Sequence, residues 1–176
     1  MESQENNWLF HRLGFFQQTT LSLNANRDTF MKAFGECVGD NVNFFGLSNH
    51  EKKFHGELKN KTFKMYKPIR MINNTSIACG SGSYGERDGS LQIDLAVFIP
   101  VHTFLIFYCL LTTIAVIIIA VMITNQTPLF LLIGFSFFIV FFYFWIYWIF
   151  RKNVVELFNV CVKEMTEWPA KYPQAK

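Results

Sequence analysis

The chain has 176 residues, 51% of them hydrophobic and 18% aromatic, with 21 phenylalanines and a formal net charge of +3. Once its long apolar part is set aside, that length leaves room for one small soluble domain and a tail. Before residue 95 there are 11 Lys and Arg against 10 Asp and Glu, so the concentrated basic surface that holds nucleic-acid phosphates is missing and no nucleic acid is expected as a partner.

At the amino terminus, Met1 to Asn7 is polar and only a short apolar group, Trp8 to Phe10, follows. That is not the basic-then-apolar pattern of a secretory signal, and the amino-terminal domain is expected to stay where it is made. Residues 8–16, WLFHRLGFF, are aromatic but interrupted by His11, Arg12 and Gly14. They suit an interfacial segment on a membrane or a segment docked on the domain or a partner. Thr19 to Leu23 alternates as a half-buried strand does. A helix is expected next, capped by Asn24 or Asn26, with Phe30, Met31, Phe34 and Val38 on one face and Gly39 as its stop.

After a polar connection over 40–50, residues 53–58 and 62–66 alternate around Asn60-Lys61, which predicts a β-hairpin with Phe54, Leu58, Phe63 and Met65 facing the core. The series Lys59, Lys61, Lys64, Lys67 and Arg70 falls along it and reads as a solvated strand face. Pro68 weakens this strand and Thr75 to Cys79 begins another. Gly80-Ser-Gly-Ser-Tyr-Gly85 spells GxGxxG. The dinucleotide fingerprint needs a helix amino terminus after those glycines to receive a pyrophosphate, and here a turn and another strand follow, so a flexible loop between antiparallel strands is expected and no cofactor. The last strand is the clearest, with Leu91, Ile93, Leu95 and Val97 alternating with Ser90, Gln92, Asp94 and Ala96.

From Leu95 to Phe150 the chain carries no Asp, Glu, Lys or Arg for 56 residues. At about 20 residues per crossing this holds two transmembrane helices, placed at about 101–124 and 128–150, with Pro100 opening the first, Thr127 capping the second before Pro128, and a turn at 124–128. Arg151 and Lys152 follow the second span while the turn is uncharged, so both termini are expected in the cytoplasm. Bacterial inner membrane is the first expectation and a eukaryotic internal membrane the alternative. On this topology the glycosylation patterns at Asn60, Asn73 and Asn74 are coincidental.

The second span is dense in Phe, with Tyr143, Trp145, Tyr147 and Trp148 near its end as an interfacial belt. Neither span has a membrane-embedded charge of the kind ion-coupled carriers use. Residues 153–168 are amphipathic, with Val154, Leu157, Phe158, Cys161, Val162, Met165 and Trp168 on one side. This helix is expected to pack on the sheet and to end near Pro169, leaving an extended tail at Tyr172-Pro173-Gln174.

The fold class is therefore α+β: a small antiparallel sheet domain with two helices (residues 1–94 and 151–176), interrupted by a two-helix transmembrane hairpin (95–150). The order β-α-β-β-β-β with a closing helix resembles helix-on-sheet folds of the grip type, in architecture alone.

The histidines, His11, His50, His55 and His102, form no i, i+3 or i, i+4 pair, and Cys37, Cys79, Cys109 and Cys161 include no Cys-x-x-Cys, so no metal site is expected. His102 stands out as an ionisable residue at the start of a span, a possible interfacial polar site. With no nucleophile and base pair or phosphate loop visible, the first functional expectation is a non-enzymatic membrane accessory or anchoring subunit. It would touch lipid, another membrane subunit or a second copy through Phe138, Phe142, Trp145 and Trp148, and pack its terminal helix through Leu157, Phe158, Cys161, Met165 and Trp168. The alternative is a lipid or apolar small-molecule binder, with Phe54, Phe63, Met65, Leu91 and Ile93 lining a cavity. A weaker third is an oligomeric membrane-perturbing or pore-forming protein.

Overall fold

The computed structural model describes residues 12–40, 52, 54–67, 77–87 and 89–172. In chain order the elements are β1 (Phe16–Leu23), α1 (Arg27–Cys37), β2 (Val38–Asp40), β3 (Phe54–Lys59), β4 (Thr62–Tyr66), β5 (Cys79–Arg87), β6 (Ser90–Phe98), α2 (Val101–Thr124) and α3 (Leu129–Lys171). The six strands form one sheet in the order β1-β6-β5-β4-β3-β2. Every neighbouring pair is antiparallel except β2 with β3, which runs parallel. The fold is thus α+β as read from the sequence, with a sixth short strand and one parallel pair that the sequence pattern does not announce.

Local chemistry explains most of the boundaries. Asn26 caps α1, its Oδ1 accepting from the Thr29 N–H at 2.9 Å and from the Thr29 hydroxyl at 2.8 Å. Phe30, Ala33 and Phe34 form the core face of α1. Met31, expected on that face, is turned one residue step of about 100° away and is exposed. Gly39 does not stop the helix: Val38 already has extended dihedrals and passes straight into β2. In the β3–β4 hairpin Asn60 and Lys61 both take positive φ, 47° and 66°, the two-residue turn whose twist matches the strands it joins. Register places Phe54, Phe63 and Met65 in the core and leaves Leu58 half-buried.

Residues Gly80–Gly85, expected as a loop, lie inside strand β5. Glycine is disfavoured in strands, but here close packing demands it. A Cβ on Gly82 would stand 2.0 Å from the Asp94 carbonyl oxygen and 2.5 Å from the Phe63 ring. The serines between the glycines face away from the core, as strand alternation requires. Thr75, Ser76 and the glycosylation patterns at Asn73 and Asn74 lie outside the described residues, as do the connection over 41–50 and residues 173–176.

α1 and the second half of α3 cover one face of the sheet. Leu91, Ile93, Leu95 and Val97 from β6 are 0–1% exposed beneath them. The centre of the core is aromatic: the Trp168 ring lies 5.5 Å from Phe30 and 6.5 Å from Phe34, and Phe30 lies 6.0 Å from Phe63 and 4.5 Å from Tyr84.

The two apolar helices are each long enough to cross a bilayer. α2 matches its expected bounds, while α3 begins one residue later than expected. Pro128 is its N-cap and Thr127 makes no capping bond. A larger difference is at the other end. The second apolar segment and the amphipathic segment are one unbroken helix of 43 residues, with Pro169 inside its last turn and the Tyr172 N–H closing on the Trp168 carbonyl at 2.8 Å. Between Phe150 and Val154 the sequence changes polarity without a glycine or proline, so the backbone continues.

Candidate functional site

At the junction between the apolar hairpin and the sheet, the core continues onto the two long helices. Phe15, 1% exposed, inserts among Phe104, Tyr147 and Phe150, with ring centroids 5.5, 5.2 and 6.3 Å away. The Tyr147 hydroxyl donates to the Leu13 carbonyl at 3.0 Å. Gly14, at φ +74°, lets the chain pass close to Arg151; a Cβ there would stand 3.2 Å from its Nε. The start of the described chain is therefore docked on both apolar helices. Of the two roles open to the 8–16 segment, Leu13 and Phe15 take the docking one.

Below this collar the hairpin is joined by a stripe of shielded residues, Phe104, Tyr108, Leu111 and Ala115 on α2 and Ile139, Tyr143, Ile146 and Tyr147 on α3. The spacings of one, three and four keep these residues on one face of each helix, as in helices packed side by side. A polar rung crosses the stripe. Thr112 donates its hydroxyl proton to the Tyr108 carbonyl at 2.7 Å, so the 2.6 Å contact between Thr112 Oγ1 and Tyr143 Oη has the tyrosine as donor.

The proposed contact residues behave differently from one another. Phe138, Trp145 and Trp148 are exposed and Phe142 is half-buried. Phe135, Phe138, Phe142 and Trp145 form a ladder of rings 6.4, 6.0 and 5.3 Å apart along one flank of α3. Trp148 lies on another flank beneath Lys152, whose Nζ is 5.2 Å from its ring. On the terminal segment Leu157, Cys161, Met165 and Trp168 are buried, whereas Phe158 is half-buried at the rim. Burial first, then the neighbouring Cys79 and Glu164, pushes the Cys161 thiol up to about 12, which makes it an inert core residue rather than a nucleophile. His102 is exposed at the second position of α2, with no hydrogen bond to its ring found among the described residues. The Lys67 ammonium pairs with Glu156 and, with Lys152 nearby, holds that carboxyl below its ordinary range.

Sequence reasoning did not find the opposite face of the sheet. Gln18, Thr20, Lys64, Ser81, Ser83 and Asp94 line an open trough of about 750 Å³ there. Its floor is low because β5 contributes Ser81 and Ser83 there. The signal was present in the alternation of Gly80 to Gly85. Thr20 donates to Asp94 Oδ1 at 2.7 Å and Lys64 lies 4.0 Å from Glu57. The five residues expected to line an apolar cavity, Phe54, Phe63, Met65, Leu91 and Ile93, are 0–2% exposed and belong to the packed core. Among the described residues no group of His, Cys, Asp and Glu is placed to hold a metal ion.

Compared with known protein families, curated proteins and solved structures, the chain matches none.

Proposed function

We propose that this chain is a membrane-anchored accessory subunit: α2 and the first half of α3 cross a bilayer as a hairpin, both termini lie in the cytoplasm, and the sheet domain is presented at a fixed angle to a larger membrane complex. The observation that carries the reading is the single helix α3, which is the second apolar segment at one end and the central packing element of the domain at the other. The collar around Phe15 supplies a second rigid joint, so the hairpin is more than a tether.

Membrane insertion is supported by an energy comparison. Every exposed large apolar residue among those described, Met31 excepted, lies between Val101 and Trp148. Leaving so many half-exposed side chains in water, at about 1 kcal/mol each, costs on the order of 20 kcal/mol. Net domain stabilities are only about 5–15 kcal/mol, so an apolar medium or partner has to cover these helices. The packed core favours anchoring over storage of an apolar ligand, because the expected cavity walls are already in contact with α1 and α3.

Extraction from the native membrane in mild detergent, followed by size separation and identification of co-migrating chains, tests the proposal. Recovery in a stable larger complex at fixed ratio supports it. Recovery as a monomer with bound lipid overturns it in favour of ligand binding.

A further inference from the structure

The outer face of the sheet, away from α1 and α3, changes character along the strands. Its cross-strand row nearest the hairpin runs from Phe16 on β1 through Phe98 on β6, Cys79 on β5 and Tyr66 on β4 to His55 on β3, with Cys79 and His55 buried and the aromatic pair at the β1–β6 corner more open. The next rows are polar, running from Gln18 to Glu57 and from Thr20 to Lys59. Phe16 and Phe98 stack with centroids 6.5 Å apart and an interplanar angle of 25°, and both remain half-buried although their row faces outward.

The position of this pair is fixed by the collar. The Ile99 N–H donates to the Phe15 carbonyl at 3.3 Å, the Phe15 ring sits on Phe104, Tyr147 and Phe150, and α2 begins at Val101. Phe98 is thus at most roughly 10 Å along the chain from the first span residue at ~3.3 Å per residue. A headgroup layer is about 5–8 Å deep and apolar faces sink ~5–10 Å into it. Arg151, alongside Gly14, and Lys152, over Trp148, put two cations at the same level, where lipid phosphates lie.

We infer that the Phe16–Phe98 corner is a lipid-contacting foot, which seats the outer face of the sheet in the headgroup layer beside the hairpin. The domain then meets the bilayer through its sheet as well as through its helices, and the trough opens along the membrane surface. The inference rests on the membrane reading of the hairpin and deepens it.

The full chain, reconstituted in phosphatidylcholine and phosphatidylglycerol vesicles, carries a photoreactive benzoylphenylalanine in place of Phe98, of Phe107 on the exposed flank of α2, or of Ser22 at the far end of β1. Lipid adducts are read by mass. At position 98 the yield should be comparable to that at 107 and about tenfold above that at 22. Adducts at 107 alone, or a cross-link from 98 into the chain itself, overturn the foot and leave the spans standing. Equal yields at 98 and 22 overturn it as well, and the lack of adducts at 107 overturns the membrane reading beneath it. Phe98→Trp, with quenching by phospholipids brominated near the glycerol, reads the same contact with a smaller replacement; no quenching beyond that of the native tryptophans counts against the foot.

Discussion

Replacing Gly82 by alanine separates a structural glycine from a ligand-binding one. The added Cβ would lie 2.0 Å from the Asp94 carbonyl oxygen and 2.5 Å from the Phe63 ring, where real Cβ atoms essentially never come within 3.0 Å. The strand pair must open by about 1 Å, or Phe63 must leave a site where it is 2% exposed. Overpacking of this kind costs about 1–3 kcal/mol, and loosening the ladder bonds of Gly82 to β4 and β6 adds about 1 kcal/mol each. Alanine returns only ~0.4–1 kcal/mol by stiffening the unfolded chain. The expected net loss is about 2–4 kcal/mol, a fall in Tm on the order of 10 °C for a domain of this size.

Gly85, in the same strand, is the control, because a Cβ there meets nothing within 4 Å. Gly85→Ala should leave Tm unchanged or slightly raised. Both are read on the detergent-solubilised full chain with a dye that fluoresces on reaching buried thiols, since Cys79 and Cys161 are 3% and 0% exposed. If Gly82→Ala melts with Gly85→Ala, close packing is not what places glycine at position 82.

Phe15→Ala removes the residue at the centre of the collar and should cost about 3–5 kcal/mol in the same melt; no change would mean that the amino-terminal segment is not fastened to the hairpin. Thr112→Val deletes the acceptor for Tyr143 and should lower hairpin stability by about 1 kcal/mol, with Tyr143→Phe giving no further loss in the double variant. Alkaline pH should unfold the domain for a reason that can be assigned. Burial raises the Cys161 thiol from 9.0 and the Tyr66 phenol from 10.0, each to about 12. Both groups are held neutral by the fold, so their contribution is complete below about pH 9 and is lost as pH rises through about 12. Melts against pH should fall over that window, and Cys161→Ala should flatten the fall.

What could be read from the sequence follows from where each signal resides. Strict alternation at Leu91 to Val97, the Asn60-Lys61 turn, the Asn26 cap and 56 residues without charge are local, and the structure follows them. β2 escaped because three residues in a parallel pair leave no periodicity, and its partner β3 is distant in the chain. A strand was expected to begin over Thr75 to Cys79, but the continuation of β5 through Gly80 to Gly85 escaped because its permission to be a strand comes from Phe63 and Asp94, which press on Gly82 from two other strands. The collar escaped because a phenylalanine at position 15 looks like any other in an aromatic run until Tyr147 and Phe150 are brought to it. The trough escaped because Ser81 and Ser83 form a low floor only when β1, β4 and β6 stand beside them.

One face of α3 runs continuously from the hairpin into the core. Ile139, Tyr143, Ile146, Tyr147, Phe150, Val154, Leu157, Cys161, Met165 and Trp168 fall at steps of one, three and four residues, within about 100° of arc at ~100° per residue. The stripe that faces α2 in the apolar half is thus the stripe that faces the sheet in the polar half, in phase across Arg151 and Lys152. An alanine inserted between those two residues turns one half by ~100° relative to the other, and the collar and the core can no longer be satisfied together. In a chain whose Cys37, Cys79 and Cys109 are replaced by serine, the dye should then reach Cys161 without heating. Seven inserted residues bring the halves back to within ~20° while lengthening the helix by ~10 Å, so Cys161 should be protected again although Phe15 has lost its partners. If one inserted residue leaves Cys161 protected, the helix bends freely at the junction and does not hold the domain at a set angle to the membrane.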